Sequence, residues 1–130
     1  MLVVDTSVWI DYFNGVDTPG AALLDSALGQ RHVLICDLVL AELLSGFATE
    51  REAKAAIEWL APFECVTVGG ADVAIAAAAN YRHLRRKGAT VRKTIDLLIG
   101  TYCLLHDHEL LHADRDFEPL SRHLGLRVLT

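Results

Sequence analysis

Short apolar runs alternate with longer amphipathic segments along the whole chain, and this alternation is what most constrains the fold. Runs rich in β-branched residues predict five strands, at 2–4, 33–35, 65–68, 110–111 and 126–129. Helical periodicity predicts helices at 8–13, 21–28, 38–47, 50–60, 71–86, 95–105 and 118–124. Because parallel neighbours need helical crossovers, this order predicts one three-layer α/β/α domain over residues 1–130. Its central sheet should be mostly parallel, with about five strands.

The composition predicts a compact protein outside the membrane. Hydrophobic residues make up 52% of the chain and prolines number only 3, which leaves enough apolar surface for a substantial core. The N-terminus lacks the features of a signal peptide, and no apolar run approaches the roughly 18 to 20 residues of a membrane span. We therefore expect a cytoplasmic protein. Cys36, Cys65 and Cys103 are widely spaced among aliphatic residues, which predicts reduced core side chains rather than disulfides or zinc ligands.

Half of the basic residues are concentrated in one short stretch. The formal net charge of −5 argues against a nucleic-acid partner, because phosphate binding usually needs a basic excess. Yet 6 of the 12 basic residues lie between positions 82 and 93, without an intervening acid: Arg82, Arg85, Arg86, Lys87, Arg92 and Lys93. The stretch is either a solvated helix face or, if a phosphate-cleaving site lies beside it, a surface that binds a polyanion.

Several carboxylates follow predicted strands at one edge of the sheet. In parallel α/β sheets, ligands bind outside the carboxyl ends of the strands. Asp5 follows the first strand, and Asp114 and Asp116 follow the strand at 110–111. Each also has a simpler interpretation, because an aspartate after a strand can cap the next helix or occupy a loop. Their shared edge nevertheless favours convergence.

Two further acids stand in predicted helices. Glu42 is the only charged residue of the apolar helix at 38–47, and a buried carboxylate is costly unless it is paired or bound to a metal. Alternatively, this helix could turn its Glu42 side toward solvent. Asp96 lies in the first turn of the helix predicted at 95–105, where the helix dipole alone would favour an acid.

Converging carboxylates imply a metal ion, since three or four of them cannot all stay ionised without a compensating charge. Oxygen-only ligation by carboxylates suits Mg²⁺ or Mn²⁺. A metal held in this way can bind a phosphodiester oxygen and lower the pKa of a bound water. The pattern therefore predicts metal-assisted phosphodiester hydrolysis.

Four segments together resemble one family. They read DTSVWIDYF, AELLSG, IDLLIG and LLHADRDFE, and their order and spacing are similar to the PIN-domain family, most specifically to its VapC-type toxins of bacterial toxin–antitoxin pairs. This resemblance covers essentially the whole chain. It implies a small α/β/α fold, a Mg²⁺- or Mn²⁺-dependent endoribonuclease and a homodimer. It also implies a cognate VapB-type antitoxin whose C-terminal segment wraps the toxin and holds it inactive.

The resemblance also assigns roles to individual residues. The acids that match those of the family are Asp5, Glu42, Asp96 and Asp114, with Asp116 beside the last. By this match Asp5, Asp96, Asp114 and Asp116 ligate the metal, and Glu42 binds metal or orients the attacking water. Thr6 or Ser7 matches a hydroxyl that holds a metal-bound water, and the basic stretch would bind RNA. Where many relatives carry Thr or Ser before the last acid, this chain has His112 and Ala113.

Other interpretations of the same residues remain open. His106, His108 and His112 have a spacing at which imidazoles could bind zinc. An HD-type phosphohydrolase would need further His and Asp motifs, and a haloacid-dehalogenase-like phosphatase would need an aspartate where Ser7 stands. A non-catalytic RNA-binding or partner-binding module of the same fold is the main alternative, and the complete acid set favours the enzyme.

Overall fold

Four parallel strands form the centre of the molecule. The computed structural model describes residues 1–130, and its sheet has the order β3-β2-β1-β4. The strands are β1 (Leu2–Val4), β2 (Val33–Cys36), β3 (Glu64–Val66) and β4 (Glu109–Leu111). Every pairing is parallel, which confirms the predicted mostly parallel α/β sheet. Because β1 and β2 are buried along their whole length and successive side chains point to opposite faces, both faces of the sheet must be covered.

The fifth predicted strand is wrong as a full strand. Residues 126–129 form only an isolated parallel bridge, in which Val128 pairs with Leu110. The N–H of Leu126 donates to Leu120 O at 3.2 Å, so the start of this run completes the preceding helix instead of extending the sheet. The sheet therefore has four strands.

Seven α-helices surround the sheet, and all seven predicted helices are found, two of them with the predicted bounds and five with shifted ends. They are α1 (Thr6–Phe13), α2 (Pro19–Ala27), α3 (Asp37–Ser45), α4 (Glu50–Leu60), α5 (Gly70–Arg86), α6 (Thr94–His106) and α7 (Glu118–Leu124), with a one-turn 3-10 helix at Arg115–Phe117. The side chains of Asp5, Thr18 and Thr49 cap α1, α2 and α4. Asp5 accordingly starts α1 two residues earlier than the sequence pattern predicts.

The helices pack in two groups. In the first group α1 packs against α2 and α3, and α3 packs against α4. In the second group α5 packs against α6 and α7, and the 3-10 helix packs against α6 and α7. Trp9 and Phe117 are the largest fully buried side chains, one from each group. Trp9, on α1, therefore belongs to the core and is not exposed for contact with a ligand. None of the helices has the length and apolar character needed to cross a membrane.

The cysteines occupy two different environments. Cys36 and Cys103 are buried and reduced, as their apolar neighbours predict. Cys65 is exposed, because β3 is an edge strand with exposed residues at its start. Its predicted place in the core is therefore wrong, although no disulfide forms.

Candidate metal centre

The carboxyl ends of β1 and β4 lie side by side, and this contact creates the site. Val4 pairs with Leu111 in parallel register, and the N–H of Asp5 donates to Leu111 O at 2.9 Å. The chain leaves β1 through Asp5 into α1 and leaves β4 toward Asp114. The predicted shared edge thus arises from the pairing of two neighbouring parallel strands.

Three acids lie within reach of a single cation. One carboxylate oxygen each from Asp96, Asp114 and Asp116 falls within 4.8 Å of the other two. The N–H of Asp116 donates to Asp114 Oδ1 at 3.0 Å, so the 3-10 helix folds the second aspartate back beside the first. Asp96 reaches the same place from the first turn of α6. Two separate segments of the chain therefore contribute to one group of ligands.

Two oxygens of this group accept no hydrogen bond. Asp96 and Asp116 are 4% and 6% exposed, and the Oδ2 atom of each is buried without a hydrogen bond. A buried carboxylate oxygen without a donor costs free energy, and a hard divalent cation supplies the missing positive charge. The donor set, which consists only of carboxylate oxygens, also suits Mg²⁺ or Mn²⁺ better than zinc. The residues present therefore fit such a cation.

Burial and mutual repulsion shape the ionisation of the pocket. Burial, reinforced by the charges of Asp5 and Asp114, raises the pKa of Asp96 from 3.8 to about 7. Burial likewise raises the pKa of Asp5, although hydrogen bonds from Ser7 oppose the shift. The pKa of Asp114 is lowered, because the N–H of Asp116 and the ammonium of Lys93 stabilise its charged form. The pocket holds carboxylates that ionise readily beside others that resist ionisation.

Two cations of the basic stretch border the acids. Lys93 Nζ donates to Asp114 Oδ2 at 2.8 Å and lies 4.0 Å from Asp96 Oδ2. Arg92 Nε lies 3.6 Å from Asp116 Oδ1. Both basic side chains are largely exposed, Lys93 at 61% and Arg92 at 84%. Because exposed ion pairs contribute little stability, Lys93 and Arg92 can release these carboxylates and bind another anion with only a small loss of free energy.

The hydroxyls of α1 hold two further acids in place. Thr6 Oγ1 donates to Glu42 Oε1 at 2.8 Å, so the half-buried Glu42 faces the start of α1 rather than open solvent. Ser7 Oγ donates to Asp5 Oδ2 at 2.9 Å. The charge of Glu42 also contributes to the raised pKa of Asp5, which places these two acids near each other. Asp5 and Glu42 lie beside the three-acid group but are not members of it.

Sequence reasoning missed two supports of the site. The N–H of Ala113 donates to Ser7 Oγ at 3.3 Å, so one hydroxyl links the ends of β1 and β4. The N–H of Asp114 donates to His112 Nδ1 at 3.2 Å, and the His112 ring packs 4.9 Å from that of Phe117. No spacing in the sequence signals a contact between residues 106 positions apart.

The other predicted site residues lie away from this group. Four of the predicted basic residues lie at the C-terminal end of α5, and none of them pairs with a carboxylate: Arg82, Arg85, Arg86 and Lys87. The three histidines do not converge. His106 and His108 stack 5.9 Å apart at the amino end of β4, whereas His112 lies beyond its carboxyl end. The only group of three or more potential metal ligands is the aspartate group, which disfavours the zinc interpretation.

Comparison with known proteins gives a consistent result. A family model described as PIN domain matches residues 2–122. VapC ribonuclease Mb1587 of Mycobacterium bovis is 29% identical over 130 residues, covering 98% of this chain and 97% of that protein. The structure of VapBC2 from Rickettsia felis, bound to a promoter DNA fragment, aligns with a TM-score of 0.76 at 17% identity, over 98% of this chain and 96% of the other. VapBC-5 from Mycobacterium tuberculosis, a member of a toxin–antitoxin family, aligns with a TM-score of 0.68 at 28% identity, over 98% and 95%.

Proposed function

This chain belongs to the PIN-domain family, and we propose that it is a divalent-metal-dependent endoribonuclease, the toxin of a type II toxin–antitoxin pair. One observation carries this proposal: three aspartates each have one carboxylate oxygen within 4.8 Å of the other two, and two of the buried oxygens in this group accept no hydrogen bond. The name of a relative that covers nearly the whole chain, a VapC ribonuclease, supports RNA as the substrate.

The proposed ligands are the three grouped acids together with the neighbouring Asp5. Asp96, Asp114 and Asp116 offer oxygens at distances that one ion can span, and Asp5 lies close enough to raise the pKa of Asp96. When bound, Mg²⁺ or Mn²⁺ would supply positive charge for the phosphate oxygens and lower the pKa of a water. Ser7 would keep the carboxylate of Asp5 in a fixed orientation through its hydroxyl.

Glu42 is suited to bind the attacking water and to accept its proton. Its Oε1 already accepts a hydrogen bond from Thr6, so the orientation of the carboxylate is set and Oε2 is left to accept from a water molecule. A carboxylate that holds a water by hydrogen bonding can also take its proton as the water attacks. Thr6 then acts as a positioning residue, and the predicted role of Thr6 or Ser7 in holding a metal-bound water becomes secondary to these contacts with carboxylates.

The basic residues provide the electrostatic part of the mechanism. Lys93 and Arg92 border the acids with exposed side chains, and a scissile phosphate placed beside the acids would lie within their reach. Arg82, Arg85, Arg86 and Lys87 would attract the RNA from a greater distance. This attraction explains how a chain with a net charge of −5 can still bind a polyanion.

The proposed biological setting follows from the structural neighbours, several of which are toxin–antitoxin complexes. We propose a VapB-type antitoxin as the partner and a homodimer as the assembly. An RNA substrate is consistent with activity in the cytoplasm. Mg²⁺ and Mn²⁺ are both compatible with the donor set, because each accepts carboxylate oxygens and water.

An RNA cleavage assay tests the proposal. The purified protein, incubated with single-stranded RNA and Mg²⁺ or Mn²⁺, should produce internal cuts that EDTA prevents. Asp5→Asn should abolish cleavage without unfolding the protein, since asparagine is as good a helix cap as aspartate. The matched control is Asp25→Asn, because Asp25 is an exposed acid of α2 with no contact to the site. Cleavage that persists both with EDTA and in Asp5→Asn would overturn the assignment, and RNA binding without cleavage would favour a non-catalytic module.

A further inference from the structure

A cleft beside the aspartate turn is lined by basic side chains that the proposed mechanism does not use. Its volume is about 140 Å³, and its lining residues are Ala89, Arg115, Glu118, Pro119, Arg122 and His123. Arg115 stands between Asp114 and Asp116 in the sequence, so the cleft begins directly next to the proposed metal ligands. None of these basic side chains was expected to bind RNA from the sequence, because they lie outside the dense basic stretch.

The two arginines of the cleft are exposed and free of partners. Neither Arg115 nor Arg122 makes an ion pair or a side-chain hydrogen bond, whereas Arg92 and Lys93 are both paired with aspartates. Glu118 is the only acid that lines the cleft, and it makes no ion pair either. With two arginines against one glutamate, the cleft carries a net positive charge even when His123 is neutral.

The position of the cleft suggests what it binds. Its wall at Ala89 belongs to the loop that follows Lys87 and the basic end of α5. The lining of the cleft therefore includes both the residue between two of the aspartates and the loop that follows the basic end of α5. A helix C-terminus favours basic residues for its own sake, which could explain Arg122 on α7. That reason does not apply to Arg115, which is not in the last turn of an α-helix.

We propose that this cleft binds a backbone phosphate of single-stranded RNA at a nucleotide next to the cleaved bond. The RNA then runs from the aspartate group, between Arg115 and Arg122, toward the basic end of α5. This subsite deepens the proposed ribonuclease function and depends on it. Guanidinium groups suit the role, because they bind phosphate oxygens with two donors at once. Contacts with phosphate position the strand and carry no sequence preference.

RNA length provides the test. Affinity is measured by fluorescence anisotropy in the cleavage-deficient Asp5→Asn background with Mg²⁺. The shorter RNA is a dinucleotide, which has a single internucleotide phosphate and a label attached without another phosphate, and the longer one is a labelled unstructured RNA of about 12 nucleotides. Arg122→Glu should weaken binding of the longer RNA ~5- to 20-fold and reduce its salt dependence by about 0.7 in the log–log slope for each phosphate that the protein no longer neutralises. Binding of the shorter RNA should not change. Arg122→Lys should restore most of the affinity, since the positive charge is kept.

The matched control reverses the same charge far from the cleft. Arg51→Glu, on the exposed surface of α4, should leave both affinities unchanged. An equal loss for short and long RNA, an equal loss in Arg51→Glu, or no loss in Arg122→Glu would each overturn the subsite. Arg115→Gln gives a second variant, with its circular dichroism spectrum as a check on folding, and it should show the same dependence on length. If the proposed function itself is wrong, the wild-type protein will not cleave RNA with either metal, and this result is independent of the affinity measurements.

Discussion

Asp96→Asn should stabilise the metal-free protein, even though it removes a proposed metal ligand. Asp96 is 4% exposed, and burial together with the charges of Asp5 and Asp114 raises its pKa from 3.8 to about 7. The unfolded chain ionises this carboxyl near its ordinary value. Since the folded-state pKa is the higher one, the unfolded chain gives up its proton first, and stability falls as the pH rises between the two values. Above pH 7, the buried charge of Asp96 lowers the free energy of unfolding by its full amount.

The size of the effect follows from the pKa. A rise from 3.8 to about 7 corresponds to about 4 kcal/mol when the group is ionised in both states. Lys93, 4.0 Å from Asp96 Oδ2, and local relaxation will reduce this value. We expect Asp96→Asn to raise the free energy of unfolding by about 2 kcal/mol near pH 8, and by less than half of that near pH 5.

Asp114→Asn is the matched comparison, because the effect should have the opposite sign. The pKa of Asp114 is lowered by the N–H of Asp116 and by Lys93, so its ionised form stabilises the fold at neutral pH and this stability is lost as the pH falls through the lowered pKa. Urea denaturation in EDTA, followed by tryptophan fluorescence, measures both variants, since Trp9 is fully buried. If Asp96→Asn is less stable than wild type near pH 8 in EDTA, the reasoning is refuted. With saturating Mg²⁺ the advantage of Asp96→Asn should shrink, because the cation stabilises the wild-type fold.

Three further substitutions address the supports of the site and the packing behind it. Thr6→Val removes the hydroxyl that donates to Glu42. In steady-state RNA cleavage, kcat should fall about tenfold with little change in KM. An unchanged kcat would show that Glu42 does not need this hydrogen bond to keep its orientation. Lys93→Met should bind Mn²⁺ more tightly by calorimetry, because a competing cation is gone; weaker binding would contradict this competition. Gly100→Ala places a Cβ 2.6 Å from Cδ2 of Leu120, whose side chain is fully buried. The crowding should lower the free energy of unfolding, measured in urea, by about 1 to 3 kcal/mol. Equal or greater stability would show that the Leu120 side chain moves aside without cost.

The part of the fold that the sequence predicts correctly depends on simple periodicities. Alternation of strands and helices predicts the parallel sheet, and the register of β1 against β4 then brings Asp5 and the acids that follow Leu111 to one edge. The fifth strand fails because an apolar run has the same composition whether it pairs as a strand or covers the end of a helix. The N–H of Leu126 completes α7, and the chain makes one bridge with β4.

Hydrogen bonds between segments that are far apart in the sequence could not be predicted, because no local pattern of residues encodes them. Ser7 is a plausible helix-start residue by its neighbours, yet its hydroxyl also accepts from Ala113, which follows the neighbouring strand. Asp37 resembles an ordinary helix cap, but its Oδ1 accepts from both Leu38 and Val68. Such bonds join residues that become neighbours only after the strands have paired.

A titration with Mn²⁺ tests the central claim, that these aspartates bind a divalent cation that RNA cleavage requires. Bound Mn²⁺, measured by electron paramagnetic resonance, and the rate of RNA cleavage are recorded on the same samples. The two curves should rise together for the wild-type protein, and both should be lost or shifted to much higher Mn²⁺ in Asp114→Asn, whose altered residue belongs to the grouped ligands. Cleavage that reaches its full rate without bound Mn²⁺, or Mn²⁺ binding that Asp114→Asn leaves unchanged, would contradict the claim.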